Sequence, residues 1–327
     1  MTGLPTGELR PDRTTLLAFL GVVLFGGANA IGVRQTVVEL APFWGASIRF
    51  FAAGLIMVAI VIATRRRFPR GRSLTGAVLY GAVGFAASYA LIYPALRETP
   101  AGTTMVLVAL APLMTFGLAI VQGQERFRVQ GLLGGFIALV GVAIVFADQV
   151  SADVPIGSLL LILLGTVCIA ETGVIGKSIP RSDPFGTNAI AMLTGAGLLL
   201  ALSLVASEPW VLPSQPATWA AVGYLVVFGS VVMFGLYLFT LERWTATAVS
   251  YVTLLAPLVT VPLAAVLTGE RITPSLLAGA AVVLAGVYVG AFLKVGRPRV
   301  ATSSLPECFP TEAGPEAVRV GSPSRSG

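Results

Sequence analysis

The sequence predicts an all-α membrane protein of ten transmembrane helices, built as two inverted repeats of five helices each. Three observations predict this fold. Of the 327 residues, 56% are hydrophobic and only 11% are charged, whereas soluble domains carry about 25% charged residues. The charged residues lie almost entirely between long apolar runs, and only Arg49 and Glu171 lie inside them. The third observation is an internal repeat with a period of 145 residues.

Each predicted element is an apolar run of about 20 residues, the length that crosses a bilayer as a helix. Barrel strands would need only about 9 to 11 residues and would alternate in polarity. The first run resembles a secretory signal, but its removal would break the repeat, so we interpret it as a retained helix. The runs cover residues 14–33, 42–64, 74–96, 100–122 and 129–147, and then 154–176, 184–206, 218–241, 245–267 and 273–293.

Lys and Arg are distributed unequally between the two sides of the predicted bundle. Alternate connections and the two tails place 17 of them on one side and 3 on the other. Because positive residues favour the cytoplasmic side, we predict a multi-pass inner-membrane protein with both termini in the cytoplasm. Residues 1–13 form the N-terminal tail, and residues 296–327 form a disordered cytoplasmic tail that has few large apolar residues.

Composition also excludes several classes of function. The chain has no histidine, which removes Ser-His hydrolases, Cys-His proteases and His-ligated metal sites. Cys168 and Cys308 are too few for a disulfide framework or a zinc site. The segment Gly176-Lys177-Ser178 lacks the strand and the earlier glycine of a phosphate-binding loop. We therefore expect no cofactor and no metal, and we assign the net charge of +6 to membrane orientation rather than to nucleic-acid binding.

The internal repeat aligns residues 96–147 with residues 241–292 without a gap, at roughly a third identity. Pro112 aligns with Pro257, and Glu125-Arg126 aligns with Glu270-Arg271. Because five is an odd number, the second repeat must cross the membrane in the opposite sense. Inverted repeats that meet around a site at the midplane are typical of secondary transporters.

Several short patterns carry a resemblance to a known family. They are Arg49-Phe50, Ala95-Leu96, Pro112, Gln124-Glu125-Arg126 and Gly134 with Gly141, and, in the second repeat, Thr240-Leu241, Pro257, Gly269-Glu270-Arg271 and Gly279 with Gly286. On these residues the chain resembles the EamA type of the drug/metabolite transporter superfamily, across domains that we place at residues 14–147 and 154–293. The resemblance implies a central cavity between the repeats. It also implies export of an amino acid, another metabolite or a drug by alternating access, driven by a gradient or by exchange.

Two other functions stay open at this point. One is a membrane enzyme that processes a lipid, which the missing histidine disfavours, and we expect the chain not to be an enzyme. The other is a membrane assembly partner that transports nothing.

The expected partners are a small-molecule substrate and the lipid bilayer. A homodimer is a further option, because Gly131 with Gly135, and Gly286 with Gly290, allow close approach of helices.

Polar side chains within the spans are the candidates for the substrate cavity, since polar groups facing lipid would go unsatisfied. Tyr89 and Tyr93 share a helix face by their spacing of four residues. Glu171 is the candidate for proton coupling, because a carboxyl group in an apolar cavity can take up a proton near neutral pH. It could instead bind a cationic substrate or pair with Lys177. The predicted cavity residues are Asn29, Tyr89, Tyr93, Glu171, Tyr237, Ser250 and Tyr251.

Five further residues have two interpretations each. Pro112 and Pro257 are predicted to kink their helices, either as bending points of a transport cycle or as static packing features. Arg49 lies about 10 Å along its helix at 1.5 Å per residue; it either extends to the interface or binds a partner or an anionic substrate group. Glu125 and Glu270 each either latch one side of the cavity or are polar helix ends at the lipid headgroups.

Overall fold

In this computed structural model, the described residues are 11–95, 98–99, 101–147, 154–180, 182–268 and 274–292. Within these ranges every regular element is a helix. The predicted tail at 296–327 lies outside the described residues, as do Asp148, Asp153 and the Glu270-Arg271 pair.

We number the helices in chain order and join segments that are separated by only one or two turn residues. They are α1 (Arg13–Thr36), α2 (Pro42–Ala63), α3 (Arg72–Ala95), α4 (Ala101–Val108 and Ala111–Val121), α5 (Val129–Val145), α6 (Ile156–Ser178), α7 (Pro184–Val205), α8 (Pro216–Arg243), α9 (Ala246–Ser250 and Val252–Thr268) and α10 (Pro274–Val287 and Tyr288–Phe292). Eight of them are long and apolar enough to cross a membrane, and shorter apolar helices occupy Val129–Val145 and Leu277–Ala291. The described part of the chain is therefore all-helical, and the protein crosses the membrane several times; α5 ends two residues earlier than predicted.

Local sequence determines where several helices begin. Proline stands in the first turn of α2, α7 and α8, where its missing N–H would have no helical partner. Asp12 accepts a 2.8 Å hydrogen bond from the Thr15 backbone at the start of α1. Asp183 does the same for the first amides of α7. Both aspartates satisfy amides that would otherwise lack partners.

Two irregular features recur at corresponding places in the two halves. π-helical turns occupy Ala82–Ala87 within α3 and Val227–Val232 within α8, which are 145 residues apart. Arg65 and Ser207, which follow α2 and α7, both have a positive φ of 52° and lie 142 residues apart. π-helical turns often mark functional places in helices.

α5 and α10 pack with their backbones in contact. A Cβ atom on Gly134 would lie 2.3 Å from the backbone nitrogen of Gly290. A Cβ atom on Gly286 would lie 2.4 Å from the backbone nitrogen of Ala138. Neither position has room for a side chain, so glycine is what allows the two helices to approach this closely.

The spaced glycine pairs that suggested a homodimer have partners within the chain. Gly131 and Gly135 face side chains of α4, and Gly286 faces α5. Gly290 faces Tyr251 of α9 and lies against Gly134 of α5. These glycines are therefore used for packing inside one chain, and this use accounts for their spacing without a second copy.

Glutamates join helices at one end of the bundle, which we call the acidic end. Glu39, after α1, accepts a 2.6 Å hydrogen bond from Thr218 in the first turn of α8. Glu208, after α7, accepts a 2.9 Å hydrogen bond from the Trp44 backbone at the start of α2. The hydrogen bond from Thr218, with others from nearby backbone, holds the pKa of Glu39 below its ordinary value.

Basic side chains join helices at the opposite end, which we call the basic end. Arg66, after α2, lies 2.7 Å from the carboxylate of Asp183 before α7. Lys177, near the end of α6, donates to the carbonyl oxygens of Leu241 and Trp244 at 2.6 and 2.7 Å. A cation at these carbonyls satisfies acceptors that the end of α8 leaves without helical partners.

Candidate functional site

Asn29 lies in α1 against the π-helical turn of α8. Its Nδ2 atom donates to the Gly229 carbonyl oxygen at 3.1 Å and lies 3.3 Å from the sulfur of Met233. Its Oδ1 atom is buried and has no hydrogen-bond partner in the described part of the chain. Asn29 therefore faces the interior, at the contact between the two halves.

Arg49 lies in α2 and reaches the same π-helical turn. Its side chain is only 3% exposed. Nη2 donates to the Gly229 carbonyl oxygen and Nε donates to the Ser230 hydroxyl, each at 2.8 Å. The guanidinium also lies 5.0 Å from the centre of the Phe50 ring. Arg49 therefore points into the protein, and the prediction that it could extend to the interface is wrong.

Tyr89 and Tyr93 lie together on one face of α3, as their spacing predicts. Their ring centres are 5.0 Å apart in an edge-to-face arrangement, and Tyr89 packs at 5.1 Å against Phe50. Tyr93 and Arg49 both line a small cavity of about 10 Å³ between α1, α2, α3 and α8. A cavity of this size holds about one water molecule, so the site is closed to a solute in this conformation.

Glu171 lies in α6 and is bonded to α4 rather than to Lys177. The Nε2 atom of Gln122 lies 2.8 Å from both carboxylate oxygens of Glu171. Lys177 is occupied by carbonyl oxygens at the end of α8. The suggested pairing of Glu171 with Lys177 is therefore absent, and the partner of Glu171 is a neutral amide.

Tyr237 of α8 faces α6 two residues after Glu171. A Cβ atom on Gly173 would lie 3.2 Å from the Tyr237 hydroxyl oxygen, so this hydroxyl faces the α6 backbone two residues after Glu171. The ring of Tyr237 also packs against that of Phe234. These contacts place Tyr237 and Glu171 in one region, towards the basic end.

Ser250 and Tyr251 are buried at the interruption of α9. The Ser250 hydroxyl donates to the Thr247 carbonyl oxygen at 2.7 Å, within its own helix. The Tyr251 hydroxyl lies 3.4 Å from the Gly131 carbonyl oxygen of α5 and against Gly290 of α10. Within the described part of the chain, their side-chain hydrogen bonds are thus made inside α9 and to α5 and do not include the other predicted cavity residues.

Pro112 and Pro257 differ in their relation to the helix interruptions. In α4 the helix is interrupted at residues 109–110, and Pro112 lies in the first turn of the next segment. In α9 the interruption is at Tyr251, and Pro257 lies inside the continuous segment Val252–Thr268. Both helices are interrupted near their proline, but the interruptions are not at equivalent residues.

Glu125 joins the two halves at the basic end. One carboxylate oxygen accepts a 3.0 Å hydrogen bond from the Thr247 backbone at the start of α9. The other lies 3.1 Å from Arg128, three residues along the chain. The side chain of Glu125 is only 5% exposed, so it is a buried link between α4 and α9 rather than a helix end in contact with lipid headgroups.

Sequence reasoning missed the partners of the two charged residues within the spans. Gln122 and the π-helical turn with Gly229 and Ser230 carry no sequence pattern that distinguishes them from neighbouring residues. The repeat could have located the π-helical turn of α8 only if the equivalent turn of α3 had already been known.

Comparisons with known proteins agree with this architecture. Residues 13–147 and 156–291 each match the EamA-like transporter family. A crystal structure described only as that of a protein has a TM-score of 0.76 and 19% sequence identity, and the match covers 87% of this chain and 100% of that chain. At this identity the likeness concerns the fold alone.

Curated relatives cover most of the chain. The uncharacterized inner membrane transporter YedA of Escherichia coli K12 is 28% identical over 291 residues, which is 87% of this chain and 94% of that protein. The uncharacterized transporter YyaM of Bacillus subtilis is 28% identical over 66% of this chain and 73% of its own length. A probable amino-acid metabolite efflux pump of Salmonella typhimurium is 24% identical over 84% of this chain and 94% of its own length.

Proposed function

This chain belongs to the EamA-like transporter family, and on that premise we propose that it is a secondary carrier that exports a small organic solute across the inner membrane. The carrier alternates between states that are open to either side, driven by a gradient or by exchange. The names of its relatives as transporters and as an efflux pump support this assignment. We propose transport rather than catalysis as its activity.

The reciprocal packing of α5 and α10 is the observation that carries this proposal. With the period of 145, Gly134 is equivalent to Gly279, and Val145 is equivalent to Gly290. Gly134 lies against Gly290, and Gly279 lies against Val145, so each contact has its counterpart with the halves exchanged. Reciprocal contacts of this kind are expected of a two-fold axis between the halves.

The direction of these contacts supports inversion of the second half. Along α5 the contacts advance from Gly134 to Val145, while along α10 they retreat from Gly290 to Gly279. The two equivalent helices therefore run antiparallel. Equivalent helices that cross a membrane in opposite directions belong to inverted repeats, whose axis lies in the membrane plane.

Other regularities support the same exchange of halves. α2 packs on its equivalent α7, and the Ser47 hydroxyl of α2 donates to the Ala196 carbonyl oxygen of α7. The π-helical turns of α3 and α8 are at corresponding places. If the halves exchange conformations, a cavity open at one end becomes a cavity open at the other, which is alternating access.

The charges at the two ends support an orientation in the membrane. The basic end carries Arg65, Arg66 and Arg67 together with Lys177 and Arg243, and it is the cytoplasmic end on the positive-inside rule. The acidic end then faces outward. Both termini are cytoplasmic in this orientation.

The predicted polar residues divide between the two ends of the proposed path. Asn29, Tyr89 and Tyr93 lie in the half of the membrane nearer the acidic end, and Tyr237 and Glu171 lie nearer the basic end. A solute that moves from the cytoplasm would meet Glu171 first. We propose that Glu171 exchanges protons during the cycle, because its described partner, Gln122, leaves its charge uncompensated.

The experiment compares solutes exported by cells with and without this chain, using a metabolite-resolved assay of the medium. To connect export with alternating access, Glu39→Cys and Ser214→Cys are combined in a chain in which Cys168 and Cys308 are replaced by Ser. Glu39 lies within hydrogen-bond distance of Ser214 across the two halves. Oxidation to a disulfide is expected to stop export, and reduction is expected to restore it.

The matched control is either single-cysteine variant under the same oxidant, which should export normally. An unchanged metabolite profile in all strains would contradict the transport function. Export that continues after the disulfide has formed would contradict alternating access in this fold, because the acidic end could then no longer open.

A further inference from the structure

Arg49 is a buried cation for which the described part of the chain offers no anion. The side chain is 3% exposed, and none of the described carboxylates lies within ion-pair distance of it. Its two protein partners, the Gly229 carbonyl and the Ser230 hydroxyl, are neutral. A charge removed from water is costly unless an opposite charge accompanies it. The site therefore favours a ligand with one negative charge.

The donors that Arg49 leaves unused have the geometry of a carboxylate site. A guanidinium has five N–H donors in a planar fork. Nε and one N–H of Nη2 are bonded to α8, and these bonds hold the side chain in place. Three N–H groups remain, and two of them, one on each Nη atom, form the end-on fork that a carboxylate accepts in bidentate fashion.

The fold does not require an arginine at this contact. α2 and α7 begin and end 142 residues apart, so the equivalent of Arg49 is Ala191. Ala191 is fully buried and packs directly against Gly81, beside the π-helical turn of α3. The same helix contact is thus made in the other half by an alanine. The arginine departs from the symmetry of the fold, which is expected of a residue with a role in binding.

The surroundings of Arg49 provide a way in and an apolar wall. The small cavity beside Arg49 is also lined by Thr36, Gly45 and Tyr93 and lies towards the acidic end. Separation of α1 from α2 at that end would enlarge it. The adjoining rings of Tyr89 and Tyr93 offer aromatic faces for the body of a ligand.

We infer that Arg49 binds the carboxylate of the transported solute, so that the substrate class is small organic acids and zwitterions that carry one carboxylate. This inference rests on the proposed transport function. A carboxylate matches the single positive charge, whereas a phosphate dianion would leave an excess negative charge in the site. The oxygen atoms would lie at the end-on fork, with the solute body against the tyrosines.

The test measures ligand-dependent thermal unfolding of the purified full-length chain in detergent, with phenylacetate and its neutral amide, phenylacetamide, as probes. Ligand binding raises Tm in a saturable way. We expect phenylacetate to stabilise the wild-type chain and phenylacetamide to have little effect. Arg49→Gln should weaken phenylacetate binding about 10- to 100-fold. Arg49→Lys, which keeps the charge but loses the fork, should fall between the two.

Two matched variants separate binding from folding. Arg243→Gln removes an exposed arginine at the basic end and should keep the wild-type preference for the acid over the amide. Ser47→Ala removes a hydrogen bond between α2 and α7 that does not involve Arg49, and it should lower Tm without ligand while keeping that preference. If Arg49→Gln does not yield folded protein, the comparison of Arg49→Lys with the wild-type chain decides.

Several results would overturn the inference. They are equal stabilisation of the wild-type chain by acid and amide, no stabilisation by either, equal stabilisation by inorganic phosphate, and an acid preference that keeps its wild-type strength in the folded Arg49 variants. The assay needs no sealed compartment, so its outcome is distinct from that of the export experiment. Export of a solute without a carboxylate, unchanged by Arg49→Gln, would overturn this inference and leave the transport proposal intact.

Discussion

Glu171 and Gln122 form a contact between a carboxylate and a neutral amide, and this choice of partner has consequences. Both oxygens of the carboxylate lie 2.8 Å from one amide nitrogen. A neutral amide adds no charge of its own, so no cation pairs with this carboxylate within the described part of the chain. The proposed coupling role requires a carboxylate that is not held in an ion pair.

We predict that Glu171→Gln abolishes the dependence of export on external pH and lowers the export rate at least about tenfold, in the range typical for loss of an acid–base group. The substitution keeps shape and hydrogen-bonding capacity but removes titration. The measurement is solute efflux from loaded cells between pH 6 and 8.

Glu242→Gln is the matched control, because Glu242 is an exposed glutamate at the basic end. It should retain wild-type rates and pH dependence. Export by Glu171→Gln at the wild-type rate, with the same pH profile, would exclude Glu171 from coupling.

The sequence identifies the important charged residues better than it identifies their partners. Arg49 and Glu171 can be found because they are the charges inside apolar runs, and an apolar environment makes such charges costly. Their partners cannot be found in this way. Gly229 is 180 residues from Arg49 in the chain, and its carbonyl is available only because the two halves pack in one particular arrangement.

At the scale of whole helices, glycine determines how closely α5 and α10 approach. We predict that Gly134→Ala lowers stability by about 1–3 kcal/mol, the usual cost of an overpacked contact. Its Cβ atom would meet the Gly290 backbone at 2.3 Å, and backbone cannot move away as a flexible side chain can. Thermal unfolding in detergent measures the loss.

Gly197→Ala in α7 is the matched control. No atom lies within 4 Å of the added Cβ atom, and alanine is the better helix former by about 1 kcal/mol. This variant should be at least as stable as the wild-type chain. Equal Tm values for the two variants would mean that α5 and α10 do not pack as described.

The start of α8 depends on Glu39, and this dependence should vary with pH. Hydrogen bonds from Thr218 and from nearby backbone lower the pKa of Glu39 from 4.5. A lowered folded-state pKa contributes stability above the unfolded-state value, and this contribution is lost as pH falls through the folded-state value. We therefore expect Glu39→Gln to lower Tm at pH 7 and to have little effect near pH 3. A Tm difference that grows as the pH falls would contradict the assigned hydrogen bonds.

Helix bounds were predictable to within a few residues, but helix irregularities were not. The run at 42–64 corresponds to α2 at Pro42–Ala63, because apolar length and a first-turn proline are local signals. The π-helical turns of α3 and α8 have no such signal. They depend on which residues press against the helix from the other half.

For the whole molecule, the predicted orientation can be tested from outside the cell. A single cysteine at Asp153, which lies outside the described residues, should react with a membrane-impermeant thiol reagent. A cysteine at Arg70, in the loop between α2 and α3, should react only after permeabilisation. The expected pattern follows from the excess of Lys and Arg on one side of the bundle. The reverse labelling pattern would invert the orientation.

Arg49 is charged, whereas its equivalent in the other half, Ala191, is not. The membrane voltage therefore acts on the site in one half only. Each unit charge that crosses 100 mV changes the free energy by about 2.3 kcal/mol. If Arg49 binds the carboxylate of an organic acid with one negative charge, the occupied site is neutral, and voltage has little effect on the step that carries the solute. The empty site is cationic, so a potential that is negative inside would bias the return step. The resting voltage of the cell would thus regulate how quickly the empty carrier becomes ready for its next solute.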